Sequence, residues 1–245
     1  MGSSERRVAI VTGGSRGIGR AVSARLAADG QAVAVVYAHN TGEAEGTVAD
    51  ITAAGGRALA LRADVADEDA VAEVFDLVER EFGGVDVVVN SAGVMILKSV
   101  AELDLADLDR MHRTNIRGTF VVDQQAARRV RSGGAIVNLS TSVTRLSPPT
   151  YAAYAASKGA VEALGPVLAK ELRGRDITVN AVAPGPTATD LFLDGKDEET
   201  VERLAGMNPM ERLGRPEDIA EVVSFLAGPG RWVNGQTLYA NGGMA

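Results

Sequence analysis

Arg7-Val-Ala-Ile-Val-Thr12-Gly-Gly-Ser-Arg-Gly-Ile-Gly19 decides the architecture of this chain. Arg7–Thr12 is short, rich in β-branched residues and ended by Gly13-Gly14, so it reads as a buried strand. Ile18, Val22 and Leu26 then recur at helical spacing, and Gly30 sits where a helix C-terminal glycine belongs. The turn between them has the spacing T-G-x-x-x-G-x-G. Glycine permits positive φ and close approach of the backbone to a ligand, and the helix N-terminus offers unpaired N–H groups to a pyrophosphate. Gly13, Ser15, Arg16, Gly17, Ile18 and Gly19 are therefore candidate dinucleotide contacts.

Working outward, the pattern predicts strands at Ala32–Tyr37, Arg57–Leu61, Val85–Val89, Ala135–Leu139, Ile177–Val182 and Gln236–Tyr239, separated by segments long enough for helices. Strands alternating with helices imply a mainly parallel sheet. Val71, Val74, Phe75, Val78 and Phe82 form one clear apolar stripe, with Asp67, Glu68 and Asp69 at its N-terminal end. The nearly continuous apolar run Val85-Asp-Val-Val-Val89 calls for helices on both faces of the sheet, a doubly wound α/β arrangement with ligands beyond the strand C-termini. No repeat or linker divides residues 1–245, which are expected to form one domain. Residues 190–210 read as an excursion over the site.

Composition narrows the chemistry. The 245 residues are 46% hydrophobic, and 32 acids against 25 bases give a net charge of -7, no electrostatic reason to bind nucleic acid or an anionic membrane. No Cys is present, and the two histidines are His39 and His112, so no metal site is expected. No apolar run approaches the roughly 18 residues of a membrane span, and Met1-Gly-Ser-Ser-Glu-Arg-Arg7 lacks a signal peptide's apolar region. A cytoplasmic location is the expectation.

The second strand ends in Val36-Tyr-Ala-His-Asn40, with no acid to bind adenosine ribose hydroxyls and repel a 2′-phosphate. Arg16 can pair with that phosphate, so NADP(H) is expected over NAD(H), with Tyr37, Ala38 and His39 beside the adenosine. Asp64-Val65 follows the third strand; Asp64 can accept from the adenine amino group or cap its loop.

With these come Asn90-Ser-Ala-Gly93, Asn115, Ser140-Thr-Ser142, Tyr154-x-x-x-Lys158, Asn180-x-x-x-Pro-Gly185 and Asn241-Gly-Gly243. In this order and spacing, across essentially the whole chain, the set resembles the short-chain dehydrogenase/reductase family in its compact form, a single Rossmann-type domain with a seven-stranded sheet. The overall spacing is most similar to 3-oxoacyl-acyl carrier protein reductases. Asn90-Ser-Ala-Gly93 departs by one residue from the commoner Asn-Asn-Ala-Gly.

Reducing a ketone needs a proton donor beside the carbonyl. Tyr154 can donate, and Lys158, four residues later on the same helix face, is expected to favour the tyrosinate in the reverse direction. A hydroxyl from the preceding strand end would hydrogen-bond the carbonyl oxygen. Ser140, Thr141 and Ser142 compete, with Ser142 the choice and Thr141 next. The resemblance implies that Asn115 positions a water linking Lys158 to solvent and that Lys158 holds the nicotinamide ribose. It also implies cofactor contacts from Asn90, Ala92, Gly93, Tyr154, Pro184, Gly185, Thr187 and Thr189, and a homotetramer packed through helices near 104–131 and 155–173.

Two other functions stay open at this point. Tyr151 lies seven residues before Lys158, the spacing of enoyl-thioester reductases, and a dinucleotide-sensing regulator would use the fold without turnover. His112 reads as a packing or surface residue. Arg128, Arg129 and Arg131, with Arg175, read either as cations favoured at a helix C-terminus or as a docking patch for an acidic acyl carrier protein.

Overall fold

Val8 and Ile10 are buried in one apolar cluster, and Ala9 and Val11 in another, the period-2 signature of a strand covered on both faces. The same alternation continues through Ala32–Val36. In the computed structural model, which describes residues 6–245, seven strands share one sheet. They are β1 (Val8–Thr12), β2 (Ala32–Tyr37), β3 (Arg57–Arg62), β4 (Val85–Asn90), β5 (Val130–Leu139), β6 (Thr178–Pro184) and β7 (Thr237–Ala240). Their order is β3-β2-β1-β4-β5-β6-β7, and every pairing is parallel.

The helices are α1 (Gly17–Ala28), α2 (Thr41–Ala53), α3 (Glu68–Phe82), α4 (Leu105–Met111), α5 (Gly118–Arg129), α6 (Val143–Leu146), α7 (Ala152–Glu171), α8 (Asp190–Leu193), α9 (Glu198–Ala205) and α10 (Pro216–Ala227). Residues of α3, α5 and α7 fill the cluster on one face, and those of α1, α2 and α10 the cluster on the other. In α3, Val71, Val74, Phe75 and Val78 are buried, the Asp67 carboxylate accepts from the Asp69 and Ala70 N–H groups, and Gly83 ends the helix at φ 90°.

The chain winds outward from β1 to β3 and then returns to β4 on the other side of β1. The strand order reverses there, and the crevice beyond the C-terminal ends of β1 and β4 is where such a sheet takes its ligand. One feature differs from the expected plain helix after residue 104: a π-helical turn, His112–Arg117, joins α4 to α5 and carries the buried Asn115. Apolar periodicity has no signal for that extra residue in a turn. Among the described residues no helix is long and apolar enough to cross a membrane. The signal-peptide expectation falls mostly on residues 1–5, outside those described.

Candidate active site

The glycine turn is built to exclude side chains. A Cβ on Gly13 would lie 2.9 Å from backbone atoms of Ala92, and one on Gly19 would lie 2.1 Å from the Gly13 carbonyl oxygen. The Thr12 hydroxyl accepts from the N–H groups of Ser91 and Ala92, at 3.2 Å each, and so joins this turn to the segment after β4. The first turn of α1 carries no side-chain cap, leaving N–H groups for a ligand. Beside it runs a cavity of about 820 Å³, bordered by the segments that follow β1 through β6.

Every residue of the Gly13–Gly19 set named from the sequence borders this cavity, as do Tyr37, Ala38 and His39. Arg16 is exposed and makes no ion pair among the described residues. The Arg62 Nε donates to the Ala38 carbonyl at 3.1 Å, adding a second cation at this end, and Glu43 is the acid nearby on the wall. Asp64 is a loop cap and an ion-pair partner: one oxygen accepts from Ala66 N–H at 2.9 Å, the other from Arg113 at 2.7 Å. Arg113 was not foreseen, because the pair spans 49 residues and has no local pattern. Val65 is buried against Gly118 and also borders the cavity.

Tyr154 and Lys158 sit one turn apart on α7, on the cavity wall. The Thr141 hydroxyl faces the Tyr154 phenol on the cavity wall and opposes the rise of its pKa. Ser142 does not take that role. Its hydroxyl donates to the Ala183 carbonyl at 3.2 Å and accepts from Asn241 Nδ2 at 3.1 Å, so it ties the end of β5 to β6 and the terminal loop. Ser140 is bonded to Glu162. The hydroxyl facing the donor is therefore one residue earlier than expected. Sequence alternation could not settle it, because β5 ends at Leu139 and the period of 2 stops there.

Burial pushes the Tyr154 phenol up to about 12, with Tyr151 adding to the rise and the Thr141 hydroxyl opposing it. Lys158 is buried, its ammonium donating to the Leu139 carbonyl at 2.8 Å, and burial lowers it to about 8. Burial, more than any neighbouring group, sets the Tyr154 phenol. Desolvation dominates both groups, and Tyr154 stays protonated at neutral pH, the form of an acid.

Two asparagines also differ from expectation. Asn115 Oδ1 accepts from Val94 N–H at 2.9 Å while its Nδ2 donates to Val94 C=O at 2.9 Å and Ser157 Oγ at 3.0 Å. Through these three bonds the side chain clamps the segment after β4 to α7. Asn90 does not border the cavity. Its Nδ2 donates to Asp123 and to Asn138 at 2.7 and 2.8 Å, and Asn138 donates to the second Asp123 oxygen. This buried triad pins the ends of β4 and β5, which carry the Ser91–Gly93 loop and the Leu139 carbonyl.

Burial raises the Asp123 carboxyl from 3.8 to about 7. Between those values the folded chain keeps a proton that the unfolded chain has released, so stability falls as pH rises across that window. Thermal unfolding between pH 5 and pH 8 is expected to show this fall, and Asp123→Asn is expected to flatten it. An unchanged slope in the variant would place the charged group elsewhere.

Ala92, Gly93, Pro184 and Gly185 border the cavity, and a Cβ on Gly185 would meet Asn241 at 2.8 Å. Thr187 is buried with its hydroxyl on the Gly185 carbonyl, and Thr189 caps α8 with its methyl beside Gly17. His112 is half-buried on the π turn and does not border the cavity. The basic cluster is consumed internally: Arg129 pairs with Asp76 and Glu79, Arg131 with Asp86, and Arg175 donates to the Ala127 and Val130 carbonyls. Only Arg128 of the four has no such contact among the described residues.

A family model described as enoyl-(acyl carrier protein) reductase matches residues 13–245. The chain is 45% identical to a short-chain type dehydrogenase/reductase of Picea abies, over 97% of this chain and 92% of that one. It is 42% identical to an NADPH-dependent aldehyde reductase-like protein, chloroplastic, of Arabidopsis thaliana, over 97% and 93%. Among solved structures, a short chain dehydrogenase from Burkholderia cenocepacia in complex with NADP superposes with a TM-score of 0.92 at 40% identity, covering 99% of both chains.

Proposed function

The chain belongs to the short-chain dehydrogenase/reductase family, and from that premise we propose that it reduces a ketone or aldehyde to an alcohol with NADPH. The observation that carries this reading is the Thr141–Tyr154 pair, a protonated donor and a hydroxyl bordering the same cavity as a turn whose Gly13 and Gly19 leave no room for a Cβ. The residues fit the cofactor. The Gly13–Gly19 turn and the α1 N-terminus would take the pyrophosphate, Arg16 and Arg62 the 2′-phosphate, and Thr187 and Thr189 the nicotinamide end. When bound, NADPH supplies the hydride.

Thr141 hydrogen-bonds the carbonyl oxygen, and the bond strengthens as negative charge grows there. Tyr154 gives its proton to that oxygen. Lys158 contributes an ammonium at the ribose end, anchored by Leu139, and Asn115 and Ser157 hold its surroundings rigid. Thr141→Ala is expected to lower kcat by about 10²-fold. Ser142→Ala is expected to cost about 1 kcal/mol of stability with a smaller kinetic effect, since its bonds are internal. The opposite ranking of the two kcat losses would restore Ser142.

A short 3-oxoacyl thioester remains one carbonyl within this proposal. Donation by Tyr151 to an enoyl thioester is disfavoured, because the phenol that Thr141 faces is that of Tyr154. The homotetramer belongs to the same reading: Phe120 on α5 and Val167 on α7 leave apolar surface half-exposed. The test follows absorbance at the reduced cofactor's band across ketones, aldehydes and acetoacetyl thioester, with NADPH and NADH in parallel. Turnover favouring NADPH is expected. Tight NADPH binding with no turnover across the panel would instead make this a dinucleotide-binding regulator.

A further inference from the structure

The half of the cavity beyond Tyr154 has two walls. One is the 143–151 segment, contributing Leu146, Pro148 and Tyr151, and the other is the 190–207 excursion, contributing Leu191, Phe192 and Met207. Leu146, Leu191 and Met207 are 36%, 41% and 54% exposed, unusual for large apolar side chains that converge on one opening. Water against such a set is displaced favourably by an apolar body.

The charges are as informative. The wall segments carry three cations, Arg145 on one and Lys196 and Arg203 on the other, and none of them borders the cavity. Arg145 stacks its guanidinium 3.8 Å from the Tyr239 ring centre. Lys196 bonds the Phe192 carbonyl and lies 4.6 Å from that ring. The charged group these walls do present is Asp190, exposed and without an ion pair among the described residues. Arg110 and Arg113 border the cavity from α4 and the π turn, one turn apart, and Arg113 is tied to Asp64 on the adenosine side.

We infer that the substrate is an uncharged, largely apolar ketone taken up as a free small molecule, in preference to a carboxylate-bearing or carrier-linked carbonyl. The inference rests on the reductase reading above and narrows it. Its apolar body would lie between the two walls with its carbonyl at Thr141 and Tyr154. An anionic carboxylate or a carrier phosphate lying between these two walls would meet Asp190 and apolar side chains, the cavity's cations Arg110 and Arg113 standing apart on α4 and the π turn.

Steady-state kinetics with NADPH on 1-tetralone, a carboxylated tetralone and acetoacetyl coenzyme A test this directly. The neutral bicyclic ketone is expected to lead in kcat/KM by about tenfold or more, mostly through KM. Leu191→Lys is expected to raise KM for 1-tetralone and lower it for the carboxylated ketone, a crossing that simple damage to the fold would not give. A lead for acetoacetyl coenzyme A or for the carboxylated ketone overturns the inference and leaves the reductase reading standing. No reduction of any carbonyl, with NADPH still bound in a calorimetric titration, would bring down the reductase reading itself.

Discussion

Tyr154→Phe is expected to cut kcat for ketone reduction by about 10²–10⁴-fold, the range for losing a positioned proton donor. The change removes one hydroxyl and keeps the ring that packs on the cavity wall. NADPH affinity, read by calorimetry, is therefore expected to stay nearly unchanged, which separates lost chemistry from a lost site. The size of the effect follows from the group's state: with its phenol pushed up to about 12, Tyr154 holds its proton throughout the neutral range, so nothing else needs to load it before reduction. Tyr151→Phe is the internal control. Tyr151 is half-buried and its phenol is also raised by burial, but it is not the phenol that Thr141 acts on. Its loss is expected to act mainly on KM, as a wall residue. If Tyr151→Phe were the variant that abolished turnover, the donor and the enoyl alternative would both have to be reassigned.

The strands were readable because the signal is local. Val33 and Val35 face one cluster and Ala34 and Val36 the other, and six residues suffice to see a strand buried on both faces. The glycine turn was readable for the same reason. What was hidden depends on partners far along the chain. Asn90 reads as a cofactor contact until β5 and α5 bring Asn138 and Asp123 to it, 48 and 33 residues away. Ser142 and Thr141 differ by one residue in a turn with no periodicity, and Asn241, 99 residues away, decides between them by occupying Ser142. Asn115 stands in a π turn whose sequence looks helical on both sides. The arginines at 129, 131 and 175 form a patch in sequence and a set of internal contacts in the fold, because α3, β4 and the ends of α5 supply their partners. Local periodicity therefore places the scaffold, while the choice among neighbouring polar side chains is made by tertiary contacts.

The two glycine substitutions with the most divergent outcomes lie 27 residues apart. At Gly19 an added methyl would sit 2.1 Å from the Gly13 carbonyl oxygen, 2.7 Å from its carbon and 3.1 Å from Gly14 Cα. All three are backbone atoms of the phosphate turn, so no rotamer change can relieve the contact, and the turn itself must move. Forced overpacking costs about 1–3 kcal/mol. Because the displaced atoms belong to the cofactor turn, NADPH affinity is expected to fall further, about 100-fold, which corresponds to roughly 2.7 kcal/mol. Gly46 lies in α2 with nothing within 4 Å of its Cβ position and with a φ outside the positive range. There the same methyl removes only backbone freedom from the unfolded chain, and Gly46→Ala is expected to stabilise by about 0.5–1 kcal/mol. The pair is compared by thermal unfolding and by NADPH titration. A Gly19→Ala protein that melted like the parent and bound NADPH equally well would mean that the turn yields to a side chain, and the glycines would no longer account for the cofactor site.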